Sequence, residues 1–309
     1  MISFEHSGKE IAQIERRRRI FRELRQGFSK NDVKRWLRSS LKQQRNEKEE
    51  EQMLEGSVRL ASRLLTMTDI GPVPYGIQGS PSMDWVDGAT SLKEFLATYF
   101  QESQPEKEVR FKFEQAFNAY NLRRYTGVEI VWTDNLADHL RLMDDDARLC
   151  VFSHVAFLRN QNSGLFPHGL IDETLRTLAL LFPRNDMRTK KWLQVLVSRG
   201  EKSLDPELMK CRRLKSNERR AESFRFWHDE LLALQEKFEE PAPTSITQLW
   251  YDRRVKAQWY TFWIAVSVLC LTIFFGTVQS IEGALQVYKA YHPAADSHGS
   301  NLGTKYEKP

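Results

Sequence analysis

The stretch that decides the fold is Trp259 to Val278, "WYTFWIAVSVLCLTIFFGTV", followed at once by "QSIEGALQVYKAY". From Ala257 to Ile281 no side chain is charged. About 20 apolar residues, each rising about 1.5 Å along a helix, span roughly 30 Å, the thickness of a bilayer's hydrocarbon core. Trp259, Tyr260 and Trp263 cluster at one end, and Tyr288 and Tyr291 follow the other. Aromatic belts at the two membrane interfaces have that placing. The run, with Phe274, Phe275 and Val278 in its second half, is apolar all round, whereas a surface helix shows a stripe. It reads as a transmembrane helix, because soluble core helices rarely lack charge over such a length.

The flanks give an orientation. "YDRRVKAQ" sets Arg253, Arg254 and Lys256 against Asp252, while the far side offers Lys289 beside Glu282. The positive-inside rule then places residues 1–256 in the cytosol and the C-terminal tail in an exoplasmic or lumenal space. The first thirty residues mix acids with an Arg run and hold no uninterrupted apolar segment, so they do not read as a secretory leader. Insertion after synthesis, tail-anchor fashion, is a route that this placing allows, although a tail of about 30 residues is near the upper limit for it. Thr272, Gly276, Ser280 and Ala284 recur every fourth residue and line one face. Such small-residue faces let two helices approach closely, so a homodimer through the span is one expectation.

The rest of the chain is polar. Its 309 residues are 28% charged, with mean hydropathy −0.54, which excludes a polytopic membrane protein. Cys150, Cys211 and Cys270 are far apart and match neither a disulfide framework nor a metal-ligand spacing. Residues 1–45 carry thirteen Lys/Arg against five Asp/Glu, so this arm is +8 while the whole chain is +5. The basic character belongs to the arm.

Periodicity predicts a mainly α fold: a helical cytosolic domain, one small α+β element with a β-hairpin near 140–152, and the C-terminal transmembrane helix. The expected divisions are a basic helical arm over 1–70, a Gly/Pro-rich linker over 71–90, a mostly helical domain over 91–249, a juxtamembrane segment and span over 250–291, and a disordered tail over 292–309. In the arm, Ile11, Ile14, Phe21, Leu24 and Phe28 share one helical side, and Gly27 ends that helix. Ser29 and Asp32 have cap spacing for a second helix with Val33, Trp36, Leu37 and Leu41 inward. A third runs through "NEKEEEQMLEGSVRLASRLL". Further on, "SLKEFLATYF", "EVRFKFEQAFNAYNLRRY", "LIDETLRTLALLFP" and "MRTKKWLQVLVSRG" read as helices. "SNERRAESFRFWHDELLALQEKFEEP" reads as one long charged helix with Phe224, Trp227, Leu231 and Leu234 inward. "LRLM" and "RLCVF" flank the acidic turn "DDDA" as a hairpin.

The best catalytic-looking cluster is Asp134, Asp138 and His139 in "TDNLADHL". On a helix capped by Thr133 the two acids would lie four apart on one face, where paired carboxylates can share a proton or a metal. The favoured reading is structural: Asp134 complements the helix start, and His139 packs beside the hairpin. His154, His168 and His228 show no ligand spacing, and no P-loop, dinucleotide fingerprint or G-x-S-x-G is present. No cofactor or metal is expected. The arm's Arg16, Arg17, Arg18, Arg19, Arg22 and Arg25 suit anionic lipid or a protein partner, with nucleic acid the weakest reading. Pairing of the arm's cations with the acidic stretch at 47–51 is the bland alternative.

"WTDNLADHL", "CVFSHVAFL", "IDETLRTLALLFP" and "LWYDRRVKAQWYTFWIAVSVLCLTIFFGTVQSIEGALQVYKAY" together resemble a large family of filamentous-fungal proteins that share this order of segments and a C-terminal span. The resemblance covers roughly residues 125–291 and leaves out the basic arm. It implies a fungal source and a membrane-anchored architecture, and brings no activity, substrate or site residues. The expectation is therefore a single-pass anchored adaptor or scaffold whose cytosolic part binds a macromolecule. The competing classes are a membrane-tethered enzyme using Asp134, Asp138 and His139, and a lipid or nucleic-acid binder using the arm.

Overall fold

The computed structural model describes residues 15, 18–41, 46–72, 83–104, 110–162, 164–200, 204–239 and 256–291. It divides into two compact units, Met1–Thr244 and Ser245–Pro309. The architecture is mainly helical with one small sheet.

In the first unit, α1 covers 18–26 and ends where Gly27 takes φ 85°, a left-handed position that glycine adopts without a Cβ clash. Ile20 and Leu24 are buried, whereas Phe28 is exposed; Ile11 and Ile14 lie outside the described residues. α2 (Lys30–Ser39) starts on Ser29, whose side chain accepts from the Asp32 N–H, and buries Val33 and Leu37. Its cations face the acidic start of α3 (Glu47–Thr66): Arg38 meets Glu50 and Glu51 at 2.8 Å each, and Lys34 meets Glu55 at 3.1 Å. The acidic run is thus answered by α2.

These helices share one core with the rest of the first unit. Asn31 N–H donates to Gly88 O at 2.9 Å, Leu136 N–H to Met67 O at 2.7 Å, and Gly71 N–H to Met83 O at 2.9 Å. Lys30, almost wholly buried, donates to Trp85 O at 2.8 Å and pairs with Glu55 at 2.5 Å. The Gly/Pro-rich stretch, of which residues 73–82 lie outside the described set, is therefore pinned on both sides. The division between compact units falls at 244/245.

α4 (Leu92–Tyr99) opens on a full capping box, Ser91 with Glu94. α5 (Ala119–Thr126) begins on Asn118, later than the sequence suggests. The residues before it are drawn into tertiary pairing: Phe113 N–H donates to Arg219 O at 2.9 Å and Ala221 N–H to Phe111 O at 3.0 Å. The same contact shortens the long charged helix. Residues 217–223 make two 3-10 turns, and α9 covers only His228–Glu239. Phe224, Trp227, Leu231 and Leu234 are nonetheless all buried, as expected. Phe113, Phe117, Phe224 and Phe238 form an aromatic chain, with centroids 4.8–5.9 Å apart, that closes the core around this crossing.

The sheet has order β1-β3-β2. β2 (Leu142–Met143) and β3 (Arg148–Phe152) form the expected antiparallel hairpin. Asp144, Asp145 and Asp146 all take left-handed φ in its turn, a conformation Asp tolerates better than most residues. Beyond the expected hairpin, β1 (Glu129–Thr133) pairs parallel with β3, from Glu129↔Arg148 to Thr133↔Phe152. α6 (Val155–Arg159), α7 (Leu170–Leu181) and α8 (Met187–Ser198) complete the unit.

The second unit contributes α10, Lys256–Tyr291, a continuous 36-residue helix. Within it Tyr260–Tyr288 is 29 residues long with hydropathy 2.1 and no buried share, long and apolar enough to cross a membrane.

Candidate functional site

The sequence points to Asp134, Asp138 and His139, and the structure corrects their local setting. Thr133 caps no helix; it ends β1. A sharp turn comes next, in which the Thr133 hydroxyl accepts from Asn135 N–H at 3.1 Å. A three-residue 3-10 turn, Leu136–Asp138, replaces the expected helix, with Asn135 as its cap and His139 closing it. Asp134 and Asp138 therefore do not share a helix face, and the three side chains go to three different partners.

Asp134 points outward, 69% exposed, and sits 2.6 Å from His154 Nε2. Asp138 is buried, receives Asn135 Nδ2–H at 2.9 Å, and pairs with Arg141 at 3.0 Å. Asn135 is the hub of the turn. Its carbonyl oxygen accepts from Asp69 N–H at 3.0 Å and Ala137 N–H at 3.2 Å, so one amide ties the end of α3 to the strand exit. Asp69, in turn, is pushed above the usual carboxylate range by burial, with Arg63 opposing and Asp138 and Asp134 reinforcing the shift.

His139 is only 1% exposed. Phe152 N–H donates to its Nδ1 at 3.3 Å, so Nδ1 is the acceptor and Nε2 carries the proton toward Thr177 Oγ1 at 2.7 Å. The Thr177 hydroxyl donates in turn to Thr174 O at 2.7 Å, and Trp227 Nε1–H donates to Thr174 Oγ1 at 2.9 Å. The Trp227 ring stands edge-on to the imidazole at 4.8 Å. Burial pulls the imidazole pKa down to about 3. His139 is a fixed neutral strut between β3, α7 and Trp227.

Two working residues escape sequence reading. Glu173, on α7 and 3% exposed, accepts backbone N–H groups from Arg225 at 2.9 Å, Phe226 at 2.8 Å and Trp227 at 2.9 Å. It clamps the chain just before α9 across 52–54 residues of sequence, a separation no local pattern reports. Asn135 had a readable signal, since an Asn in a polar stretch such as residues 133–135 favours an Asx-type turn onto the backbone two residues on. Among the described residues, no group of three or more His, Cys, Asp or Glu could hold a metal ion.

The other expected surfaces lie on helices. Of the arm's arginines, Arg18, Arg22 and Arg25 are exposed on α1, and Arg19 pairs with Glu23 at 3.2 Å and lies over the Trp36 ring at 4.4 Å; Arg16 and Arg17 lie outside the described residues. On α10, Phe274 and Phe275 are exposed, as are Thr272, Gly276, Ser280 and Ala284 along one face, while Trp263 and Val278 are half-buried. The Trp259 side chain falls outside the described set. Compared with protein-family models, curated proteins and solved structures, the chain gives no match.

Proposed function

We propose that this is a single-pass membrane-anchored protein whose helical first unit acts as a cytosolic adaptor or scaffold for a macromolecular partner. One observation carries the reading: Tyr260–Tyr288 forms an apolar helix with no buried share, and burial is what a soluble core helix would require. The geometry around Asp134, Asp138 and His139 supports the adaptor half. Two of the three side chains are buried and held within the fold, and the third is turned outward. The flanking Arg253, Arg254 and Lys256 favour a cytosolic first unit. The test is alkaline carbonate extraction with a glycosylation acceptor placed in the tail after residue 291. The chain should stay with the membrane and the tail should be glycosylated. Release of the intact chain into the supernatant would refute the anchor, and an unglycosylated tail would refute the orientation. Proximity labelling from the anchored chain then identifies the partner, and recovery of bulk lipid-bilayer neighbours alone would sink the adaptor role.

A second reading rests on the outward Arg18, Arg22 and Arg25 of α1. Juxtaposed to an anionic leaflet, each such cation contributes about 1 kcal/mol. In nanodiscs, the 18–26 amides should exchange more slowly with phosphatidylserine than with phosphatidylcholine, and R18Q/R22Q/R25Q should erase the difference. Equal exchange in both lipids removes this contact. Self-association through Gly276 is tested by Gly276→Ile in a membrane dimerisation reporter, where an unchanged signal removes the small-residue face.

A further inference from the structure

We infer that a cavity of about 490 Å³ between α6, α7 and the turn after residue 205 is a binding site for a compact ligand carrying phosphomonoester groups. Four cations from three separate elements line it: Arg159 from α6, Arg176 from α7, and Lys210 and Arg212 from the turn and its exit. Convergence of that kind is not what a solvated charged helix gives, where cations spread along one face.

The cations are also held in place from behind. Glu207 bridges Arg159, at 2.6 Å, and Lys210, so one carboxylate serves two cations. Arg176 donates to Ser223 O at 2.6 Å and lies over the Phe224 ring at 5.2 Å, which fixes its guanidinium plane while leaving other N–H donors. Its neighbouring acid, Glu173, already accepts three backbone N–H groups. Arg212 is oriented by Glu218 at 2.8 Å. Asp205 stiffens the whole arrangement by accepting from Ala156 N–H and Glu207 N–H, which locks the turn onto α6. Glu218 grips Arg212 through both terminal nitrogens, and Arg159 spends one N–H on Glu207 and another on Lys210 O, so the remaining N–H groups of the three guanidiniums, with a Lys beside them, are what a phosphomonoester would meet. Asp172 also lines the cavity; a carboxylate there repels bare phosphate and can accept from a hydroxyl, so the ligand class proposed is a phosphorylated polyol. Cys211 adds no nucleophile, because burial pushes its thiol up to about 11 and keeps it protonated.

The experiment is calorimetric titration of the full chain in nonionic detergent with inositol 1,4,5-trisphosphate. One site per chain is expected, with affinity reduced at least about tenfold in K210Q/R212Q, whose side chains are largely exposed and whose folding is checked by near-UV circular dichroism against wild type. Arg176→Gln should reduce it similarly, but it also touches Phe224, so the exposed double variant decides. No binding to the wild type up to about 1 mM would overturn the proposal, as would undiminished affinity in K210Q/R212Q. Loss of binding in R18Q/R22Q/R25Q instead would place the ligand on α1 and overturn it equally. Nanodiscs containing phosphatidylinositol bisphosphate distinguish the source. Competition of these discs with the soluble headgroup assigns a lipid ligand, its absence assigns a soluble one, and either supports the site where K210Q/R212Q weakens it.

Discussion

Replacing Glu173 by Ala should be among the most damaging single changes in the first unit. The carboxylate is 3% exposed and accepts three backbone N–H groups, with Arg176 a further 3.7 Å away. Hydrogen bonds to a charged group contribute about 1.5–3 kcal/mol each, so the gross loss approaches roughly 4–9 kcal/mol. Two effects reduce it. The carboxylate's own desolvation cost, several kcal/mol, is relieved by the substitution. The Arg225 bond is only part-buried, so water can partly replace it once the carboxylate is gone. The net expectation for Glu173→Ala is about 3–5 kcal/mol of destabilisation. Glu173→Gln keeps one acceptor oxygen for Phe226 and Trp227 but turns an amide N–H toward that of Arg225. It should cost less, about 1.5–3 kcal/mol. The assay is urea unfolding of the full chain in nonionic detergent, followed by near-UV circular dichroism and amide exchange. The Phe226 and Trp227 amides should lose protection first. A cost below about 1 kcal/mol for Glu173→Ala, or equal costs for Ala and Gln, would refute the clamp.

Other consequences come from the same contacts. Because the His139 pKa falls from 6.5 to about 3 on folding, the unfolded state binds the extra proton between those values. The stability this neutral imidazole confers is full above pH 6.5 and is lost as pH falls toward 3, with a limiting slope of about 1.4 kcal/mol per pH unit. His139→Gln should flatten that acid limb relative to wild type in urea midpoints, and an unchanged slope would contradict the assignment. Asn135→Ala removes the hub joining Asp69, Ala137 and Asp138 and should cost about 2–4 kcal/mol. Its near-neutrality would show that water replaces the amide. Lys30→Ala removes the buried partner that Glu55 and Trp85 O share and should destabilise the whole first unit by about 2–4 kcal/mol. A separate early transition confined to α1–α3 would instead mark the arm as an independent piece.

Much of this was legible locally. Ser29 and Ser91 announce helix starts because a hydroxyl with an acid three residues later satisfies N–H groups within one turn. The "DDDA" hairpin is likewise local, and the charge-free run at 257–281 declares a helix able to span a bilayer from length and composition alone. These features depend on residues within a few positions of each other, where sequence distance and spatial distance agree.

What tertiary structure alone decided are the places where distant backbones compete with local preference. Residues 110–117 and 216–227 both carry helical patterning, yet Phe113 and Ala221 exchange backbone hydrogen bonds with Arg219 and Phe111, and Glu173 captures the three N–H groups before α9. β1 finds its parallel partner across an intervening turn and hairpin strand. That turn breaks up "TDNLADHL", so the candidate acids part and His139 is buried as a neutral strut. Sequence alone therefore determined the helical character, the caps, the hairpin and the apolar run. The crossings, the clamp and the fate of the catalytic-looking cluster rest on hydrogen-bond partners tens of residues away, which no periodicity encodes.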